Sequence, residues 1–266
     1  MSIQNFIPML WQQNLDNSIT KRQVVGNIVN RSYVGDINQW GDQVNIISED
    51  NDIRVKPFIP DEDEEPDMLL TINHGAYYNF FVNDADRVQT NQSLINEAIE
   101  TAASRLAMDS EQYLISTIHD SAGVRMEATL PNSRDDCYEL LAKVYATLKQ
   151  KNRTNIMVSF IVPAYIASLM LGDQRLRVEK YSNYDQGVPG VYCFGFPIYV
   201  SEDAPTSIIA IEHNAVAFAG KVTRCLPYSP ERSFCDGVKG LYLCGAKVVK
   251  PDGVCICELT RGGAEW

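Results

Sequence analysis

The spacing of apolar residues predicts two helices in the middle of the chain. Over 91–119, apolar side chains recur at intervals of three and four residues, which is typical of one buried helix face. About 27 residues at 1.5 Å each would give a helix roughly 40 Å long, well above the average. A second apolar stripe predicts a helix over 134–151, with Ser133 and Asp136 placed to form its N-terminal cap.

Segments rich in β-forming residues flank an acidic loop. Residues 42–58 alternate apolar and polar side chains, and residues 68–84 return as a strand rich in Leu, Ile, Tyr and Phe. Together they predict a hairpin that could reach roughly 50 Å. An isolated hairpin is only marginally stable in water, so we expect this one to lie against something else. Its tip carries five consecutive acids between prolines: Asp61, Glu62, Asp63, Glu64 and Glu65.

The remaining segments predict the mixture of helices and strands that is typical of an α+β or α/β domain. A buried strand is expected at 155–162, and Pro163 would open a short helix after it. Strands are expected on either side of Gly195 and over 207–220. Two more are expected around the Pro-Asp-Gly turn within 240–259.

The first 30 residues predict only a short helix, because their apolar spacing decays after the first turns. Phe6 and Trp11 are large apolar groups in this segment. They would pack either on the chain's own core or on a neighbouring molecule. Composition leaves both alternatives open, and our hypothesis is that they pack on a neighbour.

Composition and charge exclude several classes of protein. Of the 266 residues, 45% are hydrophobic and 21% are charged, as in ordinary folded proteins. No apolar run approaches the roughly 18 residues of a membrane span, and the first residues do not form a secretion signal. The net charge of −11 argues against a general nucleic-acid binder. The acidic run 61–65 is expected to be a solvated loop tip, since it lacks the ligand spacing of a metal site.

No catalytic, cofactor or metal site is predicted. Seven cysteines are present, but Cys255 and Cys257 do not form a CxxC pair and no histidine is near them. We expect the cysteines to be small buried side chains. The three histidines, His74, His119 and His213, are expected to be polar surface residues. Phosphate-binding loops and the common hydrolase and kinase motifs are absent from the sequence.

The order of these segments resembles the major capsid proteins of tailed bacteriophages, which have the HK-ninety-seven-type fold. The resemblance is carried by "FIPMLWQQNL", "NRSYVGDINQWGDQVNI", "AYYNFFVNDAD", "QTNQSLINEA", "IVPAYIASLM", "GVYCFGFPIYVSED", "IIAIEHNAVAFA" and "GLYLCGAKVVKPDG", which together span nearly the whole chain. Each segment is a weak pattern by itself. Their order and spacing are more specific.

The resemblance implies an α+β fold in four parts. These are an N-terminal arm at 1–30, an extended β-hairpin loop at 31–89, a peripheral domain at 90–133 and 223–266 with its long spine helix, and an axial domain at 134–222. The extended loop would lie on the adjacent subunit, with Gly35 and Gly41 allowing the backbone to turn at its base. The resemblance therefore implies contacts between subunits at Phe6, Trp11, Tyr33, Trp40, Val44, Ile46, Phe58, Asp61, Glu62, Asp63, Glu64 and Glu65.

The implied function is structural and not enzymatic. A capsid protein of this kind would assemble through hexamers and pentamers into an icosahedral shell around double-stranded DNA, without binding the DNA specifically. It would be found in the virion after assembly in the host cytoplasm, with no membrane and no cofactor. Its expected partners are copies of itself, a portal, decoration proteins, and either a separate scaffold protein or none.

Two alternatives remain open. Encapsulins share this fold and form cargo compartments, and a neighbouring cargo gene or packaging machinery would distinguish the two. The other alternative is an α+β enzyme that uses a Cys-His pair such as Cys225 with His213. Such an enzyme would be a monomer or small oligomer, so size-exclusion chromatography would separate it from a shell protein.

Overall fold

The computed structural model describes residues 3–32, 37, 39–46, 68–83, 92–151, 157–170, 173, 175–178, 191–228 and 235–260. The described helices are α1 (Ile3–Arg22), α2 (Gln92–Ser121), α3 (Arg134–Lys151) and α4 (Ala164–Met170). Short 3₁₀ turns lie at Val25–Asn27, His213–Ala215 and Pro251–Gly253. No helix in these ranges is long and apolar enough to cross a membrane.

The described strands form three sheets. They are β1 (Gln43–Ile46), β2 (Met68–Thr71), β3 (His74–Asn83), β4 (Val124–Thr129), β5 (Val158–Val162), β6 (Arg177–Val178), β7 (Val191–Cys193), β8 (Phe196–Val200), β9 (Ser207–Glu212), β10 (Val216–Tyr228), β11 (Cys235–Val248) and β12 (Val254–Thr260). β1 pairs with β2, a three-stranded sheet has the order β10-β11-β3, and a seven-stranded sheet has the order β4-β12-β9-β5-β8-β7-β6.

The prediction of two central helices is confirmed. α2 has 30 residues, or about 45 Å, and buries the apolar face formed by Ile99, Ala103, Leu106, Leu114 and Ile118. α3 has the expected reciprocal cap at its start. The amide of Asp136 donates to Ser133 Oγ at 3.1 Å, and the amide of Ser133 donates to Asp136 Oδ2 at 3.1 Å.

The seven-stranded sheet is buried on both faces at its centre. Every residue of β5 and β9 is buried, and so are the first four residues of β12. On β12, Ile256 belongs to the core shared with α1 and α2, whereas Cys257 belongs to the core beneath α3. Cys255 and Cys257 lie on the same face, as their spacing predicted.

The structure corrects the N-terminal prediction, because α1 is a 20-residue helix and not a short one. Its own apolar pattern is weak, and it is stabilised by contacts with distant elements. Leu15 and Ile19 are 3% and 1% exposed and join the core that includes residues of α2 and β10. Tertiary packing therefore extends a helix that local spacing would end early.

Two predicted strands are each divided between two sheets. Residues 68–84 form β2, which pairs with β1, and β3, which pairs with β11. Residues 207–220 form β9 in the seven-stranded sheet and the first part of β10 in the three-stranded sheet. In both places the chain passes from one sheet to another, and the β-forming residue types of the run continue through the passage without marking it.

The sheets do not follow the expected domain boundaries at every point. The boundary at 222/223 cuts β10, and β4 and β12 pair within the sheet that also holds β5, β8 and β9. Strands β5 to β9, from the expected axial domain, therefore share one sheet with β4 and β12, which were expected in the peripheral domain. The division into four parts stays a prediction. The observed sheets do not begin and end at its predicted boundaries.

Candidate assembly surface

The two faces of the three-stranded sheet have opposite environments. On β11, Tyr242 and Cys244 point toward the helices and are 1% and 0% exposed. Residues between them along the strand point to the opposite face, which we call the outer face. Register places Tyr77 of β3 and Arg224 of β10 beside Leu241 on this outer face.

Glycines let large side chains pack closely on the helix side of this sheet. A Cβ on Gly240 would lie 2.1 Å from the hydroxyl of Tyr78, and one on Gly220 would lie 2.2 Å from the hydroxyl of Tyr242. Both tyrosines are buried, and burial raises the pKa of each phenol. Since Tyr78 is held inward, its neighbour Tyr77 must point outward.

One half of the outer face is covered by the β1–β2 hairpin. Val44, Ile46, Leu70 and Ile72 pack with Ala217, Ala219 and Leu243 in a separate small core. Lys247 Nζ donates to the carbonyl of Leu69 at 2.9 Å, which fixes the hairpin further along β11. Gly41 adopts a φ of +84° just before β1, in agreement with the turn expected there.

Among the residues that the structure describes, the other half of the outer face is exposed. Tyr77 is 86% exposed, Leu226 50% and Trp40 62%. Arg224 and Lys239 are exposed beside them, and Leu241 is half-buried. We call the set Trp40, Tyr77, Arg224, Leu226, Lys239 and Leu241 the open face. It combines apolar side chains with cations in a chain whose net charge is −11.

A β-bulge in β10 determines which residues reach the open face. The register with β11 shifts between Val222 and Arg224, so Arg224 lies opposite Leu241 and Cys225 opposite Gly240. Helix α1 binds the bulge directly. Gln12 Nε2 donates to the carbonyl of Val222 at 2.5 Å, and the amide of Val222 donates to Asp16 Oδ1 at 3.2 Å.

The residues predicted to contact neighbours have different positions. Trp40 is exposed, whereas Trp11 is half-buried and packs on the chain's own core. Val44 and Ile46 are each 6% exposed inside the chain, so the structure corrects the expectation that their face lies on a neighbour. The alternation of apolar and polar residues was predicted correctly. The apolar face, however, is covered by β2, β10 and β11 of the same chain. The side chain of Phe6 and all of Tyr33, Phe58, Asp61, Glu62, Asp63, Glu64 and Glu65 lie outside the described residues.

Sequence reasoning missed Tyr77, Arg224, Leu226 and Lys239. The alternation in "HGAYYNFF" was a usable signal for Tyr77, because only one of two adjacent tyrosines in a strand can face the core. Arg224 and Leu226 gave no such signal, because the bulge that turns them outward depends on distant residues of α1.

The described residues do not place Cys225 close to His213, as a Cys-His enzyme would require. His213 Nδ1 lies 2.6 Å from the carbonyl of Ile28, at the start of β10. Cys225 is buried nine residues beyond Val216 on the same strand, about 30 Å away. Burial also raises the pKa of the cysteine thiols, for example to about 11 for Cys137. Within the described ranges, no group of His, Cys, Asp or Glu is placed to hold a metal.

No family model and no curated protein matches the sequence. A structure from Mycobacterium phage Che8 is 22% identical, with a TM-score of 0.63, over 88% of this chain and 90% of that chain. A virus-like particle from Pyrococcus furiosus is 14% identical, with a TM-score of 0.62, over 94% and 98%. The capsid of cyanophage P-SCSP1u is 11% identical, with a TM-score of 0.60, over 90% and 89%.

These structures agree with this chain over nearly the whole length of both partners, and an encapsulin from Synechococcus elongatus matches as well. The chain therefore has the α+β fold of tailed-phage major capsid proteins, which confirms the fold that the sequence resemblance predicted. Identities this low establish the fold and leave function to separate argument.

Proposed function

We propose that this chain is the major capsid protein of a tailed phage, a structural subunit that assembles through hexamers and pentamers into a shell around double-stranded DNA. The observation that carries the proposal is a fold shared with phage capsids over about nine-tenths of both chains. The open face supports it, because an exposed surface with Tyr77, Leu226 and Trp40 is typical of a protein that binds a partner.

An encapsulin-like cargo shell is the second candidate. It is favoured by the matches to a virus-like particle and to an encapsulin, which have the same fold at similar TM-scores. Both candidates are closed shells of identical subunits, so they predict the same assembly and differ in what the shell encloses.

Electron microscopy and size-exclusion chromatography of the full chain test the shell. We expect particles or capsomers far above the 29.8 kDa mass of one chain. A chain that remained monomeric, even when expressed with the products of its neighbouring genes, would contradict the proposal. Native particles distinguish the two candidates: nuclease-protected DNA supports the capsid, and an enclosed protein supports the cargo shell.

For the contact between subunits, we infer that the open face receives residues 57–67 of a second copy. This segment has the complementary composition, since Phe58 and Ile59 precede the acids 61–65. Tyr77 and Leu226 would meet its apolar residues, and Arg224 and Lys239 would meet its carboxylates. The match in both properties supports a copy of this chain as the occupant.

Typical free energies indicate which interactions would contribute most to the affinity of such a contact. Covering one large apolar side chain is worth about 2 kcal/mol, whereas an exposed ion pair is worth about 0–1 kcal/mol. The apolar residues would therefore supply most of the affinity. The charges would set the register of the loop and the rate of association.

Disulfide crosslinking between two variants tests this contact. We expect chains carrying Asp63→Cys, mixed with chains carrying Tyr77→Cys, to form a covalent dimer under mild oxidation, because a disulfide requires Cα atoms within about 7 Å. Tyr165→Cys replaces an exposed tyrosine on α4 and serves as the matched control. Equal crosslinking at positions 77 and 165 would contradict the assigned surface. Tight DNA binding that Arg224→Ala and Lys239→Ala abolish would instead make the open face a nucleic-acid surface.

A further inference from the structure

The junction after α1 is held by a carboxylate from another helix. The 3₁₀ turn Val25–Asn27 follows α1, and the residue before it, Val24, provides no side-chain cap. Instead, Oε1 of Glu111 on α2 accepts hydrogen bonds from the amide of Val24, from that of Val25 at 2.6 Å and from that of Gly26 at 3.3 Å. Glu111 is only 6% exposed. One buried oxygen therefore binds three successive amides of the junction.

A buried amide beside this carboxylate is incompletely bonded. Gln23 is 0% exposed, and its Nε2 donates to Ser110 Oγ at 2.7 Å and to the Tyr242 hydroxyl at 3.3 Å. Its Oε1 has no donor among the residues that the structure describes. That oxygen lies 3.1 Å from the position a Cβ on Gly26 would take, so it is close to an amide that Glu111 binds. A buried acceptor without a donor is costly, at about 1–3 kcal/mol in general.

We propose that Glu111 is protonated in the folded chain, that its hydroxyl donates to Gln23 Oε1, and that this proton fastens α1 to α2. The carbonyl oxygen of the protonated acid would continue to accept from the junction amides. The added hydroxyl would satisfy the acceptor that otherwise has no donor. The inference concerns one chain by itself and does not rest on the proposed function.

The electrostatic surroundings agree with this assignment. Burial raises the pKa of Glu111 to about 7, against the lowering effect of the three amides, and the nearby carboxylate of Asp203 raises it further. Asp203 faces the site from the connection before β9, and Tyr242 faces it from β11. Arg31 is a cation that interacts with Tyr242 and with Asp16.

The sign of the pH dependence follows from the raised pKa. A carboxyl that holds its proton more tightly when folded stabilises the junction fully below its ordinary pKa, near 4.5. The stabilisation declines as the pH rises from there through about 7. The attachment of α1 is therefore strongest in mildly acidic solution and weakest above pH 7.

Hydrogen exchange of the amides of residues 24–26 in the full chain tests the proposal, with rates corrected for the intrinsic effect of pH. We expect protection to fall between about tenfold and thirtyfold from pH 5.5 to 8. In Glu111→Gln, which carries a permanent donor and acceptor, protection should be independent of pH and should stay high at pH 8. Glu100→Gln is the matched control: Glu100 also lies on α2 and bonds Arg22 and Ser18 of α1, but it is exposed. It should keep the pH dependence of the natural chain.

Infrared spectroscopy gives an independent measurement of the proton itself. A protonated carboxyl band should be present near pH 6, should disappear through pH 7–8, and should be absent from Glu111→Gln. Replacing the acceptor, in Gln23→Met, should lower the pH at which the band disappears. The proposal is overturned if the natural chain shows no such band at pH 6, if Glu111→Gln retains the pH-dependent exchange, or if Gln23→Met leaves the titration unchanged.

Discussion

The seven-stranded and three-stranded sheets differ in what covers them. At the centre of the first sheet, Ile209 and Ile211 of β9 face the core of α1 and α2, and Ile208 and Ala210 face the core of α3. In the second sheet, the helices cover one face and the β1–β2 hairpin covers only half of the other. Among the described residues, the centre of the first sheet is covered on both faces by the chain itself, whereas the second sheet retains an exposed apolar surface.

This difference separates residues that stabilise the subunit from those that would join it to another. Phe160 is 0% exposed and belongs to the first sheet, whereas Tyr77 is 86% exposed and belongs to the second. Both are large aromatic residues in strands. The stability of the isolated chain should therefore depend on the first residue, and assembly should depend on the second.

The largest expected effect is on the closed sheet. Phe160→Ala would leave a cavity in the core beneath α3, and we expect a loss of about 3–5 kcal/mol in the free energy of unfolding. Denaturant unfolding of the unassembled chain would measure it. Tyr77→Ala is the matched control and should change stability by about 0.5 kcal/mol or less. Similar losses in the two variants would remove the distinction between the sheets.

A smaller loss is expected at the N-terminal helix. Leu15→Ala should cost about 2–4 kcal/mol because Leu15 packs in the chain's own core. Gln13→Ala, on the exposed side of the same helix, should cost nearly nothing. Circular dichroism during thermal unfolding would compare the two variants. If Leu15→Ala were as stable as Gln13→Ala, α1 would not stabilise the subunit, and the hypothesis that Phe6 and Trp11 pack on a neighbour would be favoured for the whole helix.

The smallest effect on the subunit is expected at the acidic run. Replacing residues 61–65 by Ser or Asn should leave the stability of the unassembled chain within about 0.5 kcal/mol. The dependence of assembly on salt should change, because ion pairs with Arg224 and Lys239 would be lost. Light scattering at several salt concentrations would follow assembly. An identical salt profile would show that the acids do not meet the open face.

The sequence predicted those elements whose signals are local. The start of α3 follows from Ser133 and Asp136, which are three residues apart, and α2 follows from its own apolar face. The length of α1 was underestimated, because Gln12 and Asp16 find their partner at Val222, more than 200 residues away. A periodicity of two or 3.6 residues carries no information about such pairs.

The candidate surface was predicted only in part for a similar reason. Trp40 is exposed and its contact with a neighbouring subunit stays a prediction, whereas the face of Val44 and Ile46 is used within the chain. Alternation identifies a buried face but not what buries it. The choice between an intrachain and an intersubunit contact depends on the pairing of β1 with β2 and on their docking against β10 and β11.

The bulge between Val222 and Arg224 allows the outer end of β10 to lose one residue without a change of face. Deleting Thr223 would join Val222 directly to Arg224, and these two residues already lie opposite Tyr242 and Leu241, which are consecutive on β11. Each later side chain would therefore keep its partner and its face, and a regular ladder would replace the bulge. A frame-preserving deletion of these three nucleotides should leave this surface in place, as should most substitutions of Thr223. Related genes that retain this surface should accordingly differ at position 223 in length as well as in residue type.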